Sequence, residues 1–481
     1  MAVARVWTGA AAALLAVLAG IPAGSVQAST RPTWGAPGIG DRLFPDLGNG
    51  GFDVAHYDLT MRYDPGAGTV AARTRVDATA TQDLTRFDLD FDGNTVTGVR
   101  VDGAPARWQR VGDELVVTPR RLLRRGTPFA VTVAYTADPK AAHHCAPANA
   151  PTDSGWLPTP DGFATAGQPS CARSVFPGSD HPSDKAAYTF RLTAPSTLTA
   201  VANGNLVSRR TSGADTTWTY DEPTPMATEL TQIAVGAYTV RTTTGPDGVV
   251  LRDVLPTSVA DELSADLAVT PSQLAWLSAR LGRYPFRNYG VLAAPTEFHF
   301  ALETQTLTLV SAGMLRFTPR SYWAPVLVHE LTHQWFGDEV SPARWSDVWL
   351  NEGHASYYEA SYADAAGYAS FTDRMRQAYK NGDTWRSMYG PPAAPGADNV
   401  FNSDVYDGGA LVLYALREKV GAATFARIER AWLGRYAGRS AGTAQFVELA
   451  SQVAGRDLHG FLNAWLYGAT TPPMPGHPDW T

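Results

Sequence analysis

His329-Glu330-Leu331-Thr332-His333, followed by Glu352 in an Asn-Glu-Gly context, is the stretch that most restricts what this chain can fold into. On a helix, positions i and i+4 project from one face, so His329 and His333 can bind a single ion together. Glu330 lies about a quarter turn round from His329 and is placed for a water molecule rather than for the metal. Two histidines plus Glu352 leave the fourth tetrahedral position open, which separates a catalytic zinc from a closed structural one. A fold that uses this pattern must converge two helices within 24 residues.

The local sequence supports both helices. Thr318-Pro319 predicts an N-cap and a first-turn proline, and apolar periodicity then runs to Phe336 before Gly337 stops it. A second helix, about 346–366, carries Glu352 and ends at Gly367. Asp347, just over one turn before Glu352, is a candidate partner for a ligand histidine, or else only the cap of its helix.

At 481 residues the chain has room for two or more domains, and 44% hydrophobic with 18% charged residues describes a globular protein. A formal charge of −7 with no basic stripe argues against nucleic acid as a partner. Residues 1–28 read as a secretory signal, with Arg5, an apolar run from Ala10 to Leu18, and a small-x-small site at Val26-Gln27-Ala28. No later stretch is long enough to span a membrane, so the expectation is an exported, secreted chain without stable membrane insertion. Cys145 and Cys171, an even pair in such a chain, predict a disulfide. His143 and His144 read as loop histidines rather than a second metal site.

From about Phe52 to Thr244, short alternating runs are punctuated by turns such as Asp64-Pro65-Gly66 and Asp102-Gly103, which predicts an antiparallel β-sandwich or saddle. Residues 136–170 read as a long loop. After about residue 255 the period changes, with helical runs at 259–281, 321–336, 346–366, 371–380, 409–420, 423–433 and 443–454. The domain reading is a signal over 1–28, a β domain over 29–244, a catalytic domain over 245–475 and a tail over 476–481.

With these motifs in hand, the chain resembles the M1-family zinc aminopeptidases, the gluzincin group that includes aminopeptidase N and leukotriene A4 hydrolase. The resemblance rests on His329–Asp338 (HELTHQWFGD), Trp349–Gly353 (WLNEG), Ala172–Pro177 (ARSVFP), Asp180–Ala186 (DHPSDKA), Phe300–Thr304 (FALET) and Tyr406–Ala410 (YDGGA). Eighteen residues separate His333 from Glu352, the spacing of this family. It implies a multidomain α+β chain, with the β domain followed by a thermolysin-like, mainly helical zinc-metalloprotease domain.

It also implies one zinc ion per chain on His329, His333 and Glu352, with Glu330 as general base and Tyr406 as donor to the oxyanion. Glu303 would pair with the α-ammonium of a peptide substrate, Gln168 would line the same end, and Ala301 and Leu302 would line the substrate beside it. Phe300, Leu302 and Thr304 depart from the family's Gly, Met and Asn in its GxMEN segment, and a Phe in place of Gly narrows or redirects the pocket there. His354, two positions after Glu352, should point away from the metal.

The chain ends soon after 461–467, which resembles a short form without the long C-terminal helical domain of larger members. The expected activity is zinc-dependent removal of N-terminal residues from peptides. A zinc endopeptidase of the same fold and a noncatalytic peptide-binding relative remain as alternatives. The preferred N-terminal residue and the oligomeric state are not legible in the sequence.

Overall fold

Period-two alternation builds the first half of the protein. The computed structural model describes residues 33–141, 143, 145 and 155–480; the signal-like segment 1–28 and His144 lie outside the described residues. Thr69–Ala80, Pro128–Ala137 and Ala186–Pro195 bury alternate side chains, and Phe52–Asp64 does so across a bulge between Val54 and His56. These four strands are the centre of an eight-stranded sheet. It is antiparallel except where Ala186–Pro195 runs alongside Phe52–Asp64. Two four-stranded sheets share its core. Phe87, Leu115 and Val117 of one, and Phe163, Ala200 and Val235 of the other, are buried with Tyr57, Val76 and Phe190. This is the layered β domain expected.

The stretch 136–170 is not simply a loop. Trp156–Thr159 and Gly162–Thr165 pair as a hairpin and join Ile233–Gly236 and Thr199–Ala202. The buried rings of Trp156 and Phe163 meet edge-on at 5.0 Å, a contact that outweighs the Ala, Pro and Gly content of the segment. Cys145 and Cys171 form the expected disulfide.

A further sheet begins before residue 245. Tyr238–Thr244 pairs antiparallel with Val250–Pro256, so a boundary at 244 cuts a hairpin. Val291–Ala294 and Thr308–Ser311 extend the sheet in parallel, and Leu302 bridges Leu309 along its free edge.

Among the described residues ten α-helices follow or flank this sheet: α1 (Ala260–Leu267), α2 (Thr270–Leu281), α3 (Ala312–Phe317), α4 (Arg320–His333), α5 (Trp349–Ala365), α6 (Phe371–Tyr389), α7 (Ser403–Val420), α8 (Ala422–Tyr436), α9 (Thr443–Ala454) and α10 (His459–Tyr467). The single helix expected over 259–281 is two, because Pro271 opens a new one in its first turn. Thr318 does not cap α4. Its hydroxyl donates to the Met314 carbonyl at 2.7 Å and closes α3, which leaves Pro319 as the residue before α4. Asn402 caps α7 by accepting from the Asp404 and Val405 N–H groups, which places Tyr406 on the first turn instead of ahead of the helix. Helix α10 was not read from the sequence. None of the described helices is long and apolar enough to cross a membrane.

The zinc-motif helices lie in the largest helical core, where α4 packs on α5 and α5 on α7. The α5–α7 contact is unusually close. A Cβ on Gly353 would come within 2.8–3.2 Å of the Gly409 backbone, so these glycines provide room rather than conformational freedom. Replacing Gly353 with Ala should force the helices apart at about 1–3 kcal/mol, read as a lower denaturant midpoint at unchanged slope.

Candidate active site

Helix α4 carries His329 and His333 one turn apart, and α5 carries Glu352 in its first turn. His329 Nε2 lies 3.2 Å and His333 Nε2 3.4 Å from Glu352 Oε2. All three side chains are buried.

The other nitrogen of each imidazole reveals its tautomer. His333 Nδ1 is 3.1 Å from the Phe336 carbonyl, and His329 Nδ1 is 3.2 Å from Glu359 Oε2. A carbonyl can only accept, and so can an ionised carboxylate. Each Nδ1 therefore carries a proton, which leaves each Nε2 as the atom that would ligate a cation. Without one, burial works to lower both imidazoles, but the carboxylates around them outweigh it and push them up, His333 to about 9, so that a proton on Nε2 answers Glu352. A divalent cation would take the place of those protons. Imidazole and carboxylate donors in this number fit zinc with a position to spare.

Glu359 was missed in the sequence, although it lies seven residues after Glu352 and so on the same face of α5. Burial works to raise its carboxyl, but the His329 bond and the Arg374 charge outweigh that and hold it down at about 2. Arg374 donates to both Glu359 oxygens at 2.8 and 3.3 Å, and to Asp407 at 2.9 Å. Asp347, the candidate for this role, is engaged elsewhere. Its Oδ1 accepts from the Thr443 N–H at 2.9 Å and the Thr443 hydroxyl at 2.7 Å, capping the start of α9. It stands before α5, in a 3-10 turn, and reaches away from the histidines.

Glu303 and Gln168 form one end of the cleft. Gln168 Nε2 donates to Glu303 Oε1 at 2.7 Å, and the two residues are 5% and 3% exposed. Glu303, Glu330 and His333 offer ligand atoms within 4.8 Å of one another, so the pair borders the metal-binding set. Glu330 Oε2 is buried without a hydrogen-bond partner. Burial raises the Glu330 carboxyl, the two imidazoles oppose this, and Glu303 and Glu352 reinforce it, for a value of about 8. The Tyr406 ring lies nearly parallel to His329 at 5.8 Å. Burial, then the charges of Glu352, Glu303 and Glu330, push its hydroxyl well above the ordinary phenol range.

Backbone alternation along the sheet edge sorts the neighbouring positions. Leu302 is buried in the core with Leu307 and Leu309, so its side chain does not line the cleft, while half-buried Ala301 lines a cavity beside it. Gln334, the residue after His333, holds this edge against α4. Its Nε2 donates to the Glu303 carbonyl at 3.1 Å, and its Oε1 accepts from the Thr306 N–H at 2.9 Å and the Tyr284 hydroxyl at 3.1 Å. From the β domain, Lys185 donates to the Asp338 and Glu339 carbonyls at 2.5 and 3.0 Å, tying down the turn after α4. His354 lies apart from the metal-binding set: its ring stacks on Phe336 at 3.7 Å and its Nδ1 bonds to the Leu350 carbonyl.

Comparison with known proteins agrees with this arrangement. A "Peptidase family M1 domain" matches residues 266–465, and a "Peptidase M1 N-terminal domain" matches 54–230. Aminopeptidase N of Streptomyces lividans is 30% identical over 318 residues, 61% of this chain and 36% of that protein. Leucine aminopeptidase 2 of Eremothecium gossypii is 24% identical over 427 residues, 83% of this chain and 64% of that protein. The chain thus spans 36% and 64% of the length of these two curated relatives. The crystal structure of an M1 zinc metallopeptidase from Deinococcus radiodurans superposes with a TM-score of 0.80 at 30% identity, covering 91% of this chain and 99% of that one. A structure of a mutant of the Deinococcus protein bound to a Tyr-Ser-Ala substrate has the same TM-score. With both domain models matched and a full-length structural counterpart at this identity, the chain belongs to the M1 family of zinc metallopeptidases.

Proposed function

We propose that the protein is an exported zinc aminopeptidase, which hydrolyses the first peptide bond of peptides bearing a free amino terminus. The Glu303–Gln168 pair beside the metal-binding set carries this reading. A buried carboxylate needs a cationic partner, and the α-ammonium of a peptide supplies one. A blocked terminus would leave Glu303 unpaired, which is a strong basis for discrimination. The names of the aminopeptidase relatives and the peptide-bound Deinococcus structure support the same substrate class.

His329, His333 and Glu352 would hold the zinc, with Glu359 and the Phe336 carbonyl fixing the tautomers. When bound, zinc supplies Lewis acidity at the centre of the cleft. Glu330, ionised above the range to which its surroundings raise it, takes the proton of the attacking water on its otherwise unpartnered oxygen and hands it to the departing amine. Tyr406, kept protonated by its surroundings, donates a hydrogen bond to the oxygen on which charge develops. Glu303 and Gln168 hold the ammonium, so that the first carbonyl of the peptide is the one presented. Export is supported by the composition of residues 1–28 and by the Cys145–Cys171 disulfide, a bond that persists in oxidising compartments.

Zinc-loaded protein should cleave peptides with free amino termini and spare their N-acetylated forms, and Glu303→Ala should lower kcat/KM for the free forms about 100-fold or more. Equal cleavage of both forms would instead assign an endopeptidase. Tyr406→Phe should reduce kcat by about 10²–10³-fold with little change in KM, measured by steady-state kinetics. Glu359→Gln should weaken zinc about 10–100-fold in a chelator competition while the circular dichroism spectrum stays unchanged.

A further inference from the structure

The two ends of the cleft differ. At one end Glu303 and Gln168 are almost fully buried, and the polar groups there are suited to an ammonium. Toward the other end, the edge segment leads back from Glu303 through Ala301 to Phe300 and Phe298, whose rings pack at 4.5 Å. Opposite them, α4 presents Val326 and Tyr322, one and two turns before His329 and on the same face of the helix. Between these walls lies a cavity of about 300 Å³, closed further by Met314 and Phe317. Phe317 is 74% and Tyr322 56% exposed, an investment of aromatic surface in solvent that a monomer's exterior rarely makes in one place.

Spacing says what would reach this cavity. Three residues of extended chain separate Glu303 from Phe300, about 10 Å, and a bound peptide advances by nearly the same ~3.4 Å per residue. With its ammonium at Glu303 and its first carbonyl beside His329 and His333, the peptide's second residue sits ~3.4–7 Å along the same direction, short of Phe300, and a large side chain on it spans the remaining distance to the cavity between Phe300 and Val326. The first residue stays at the polar end.

From this we infer that Phe300, with Phe298 and Tyr322, forms an apolar subsite for the second residue of the substrate, selecting peptides with an aromatic or large aliphatic side chain after the cleaved bond. The inference rests on the aminopeptidase reading above and adds to it a substrate preference. Glycine at position 300 would open the wall of the cavity, whereas the phenylalanine present here supplies a ring face to pack against. Glu297, His299 and Thr318 are the polar residues among those that line the same cavity.

The test is a series of dipeptide amides with one first residue and Gly, Ala, Leu or Phe second, assayed on the zinc-loaded protein and on Phe300→Gly and Tyr322→Ala. Tyr322 is exposed, so its variant should fold even if the other does not. The expected result is kcat/KM about tenfold or more higher for Phe than for Gly as second residue, with that ratio falling several-fold in each variant that folds. A flat series in the parent protein, or a ratio unchanged in the variants, overturns the subsite while leaving the aminopeptidase activity standing. No cleavage of any free-amino substrate would overturn the activity itself, and the subsite with it.

Discussion

Three atoms able to ligate a metal, His329 Nε2, His333 Nε2 and Glu352 Oε2, lie within 4.8 Å of one another, with each nitrogen within 3.4 Å of the carboxylate oxygen. The helices keep this arrangement because each imidazole is gripped from behind, one by Glu359 and the other by the Phe336 carbonyl. Without a cation, the carboxylates outweigh burial and push both imidazoles toward their charged form; a divalent cation would take over as the partner of Glu352. Metal loading and the packing of α4 against α5 are therefore one equilibrium rather than two. Many of the buried contacts nearby serve that geometry. Arg374 anchors Glu359, Gln334 anchors the Glu303 backbone, and the Gly353–Gly409 contact lets α7 bring Tyr406 over His329.

The β domain reaches the cleft. It contributes Gln168 to the end that Glu303 occupies, and Lys185 fastens the turn that follows α4. Exopeptidase behaviour would thus be a property of the seam between the β domain and the catalytic sheet, since neither supplies the closed end alone. The apolar core runs across the same seam: Leu302, Leu307 and Leu309 are buried together with Phe163, Ala200 and Val235. Burial of that shared surface, at roughly 25 cal/mol per Å² of apolar area, is what holds Gln168 against Glu303.

Sequence periodicity was informative wherever a side chain acts through its own helix or strand. The i, i+4 histidines, the Glu352 helix, α9 at 443–454 and the alternating strands of the first half are all local patterns. It failed where partners are distant in sequence. Asp347 looked like a histidine partner from its nearness to Glu352, but its hydrogen bonds go to Thr443, 96 positions on. Glu359 lay in plain view seven residues beyond Glu352, yet only the packing of α4 on α5 pairs it with His329. Likewise, Tyr238–Thr244 falls within the strand-rich stretch read as the β domain, and its place in the five-stranded sheet depends on pairing with Val250–Pro256.

The sequence by itself located the His329, His333 and Glu352 set, Glu330 beside it and the change from strands to helices, because these follow from residue spacing on regular backbone. Only the tertiary structure decided which carboxylate orients His329, where the hydrogen bonds of Asp347 go, and which way Leu302 faces. Those outcomes depend on which surfaces are brought together across long sequence separations. That choice is made by burial and hydrogen-bond satisfaction over the whole molecule, which no local pattern encodes.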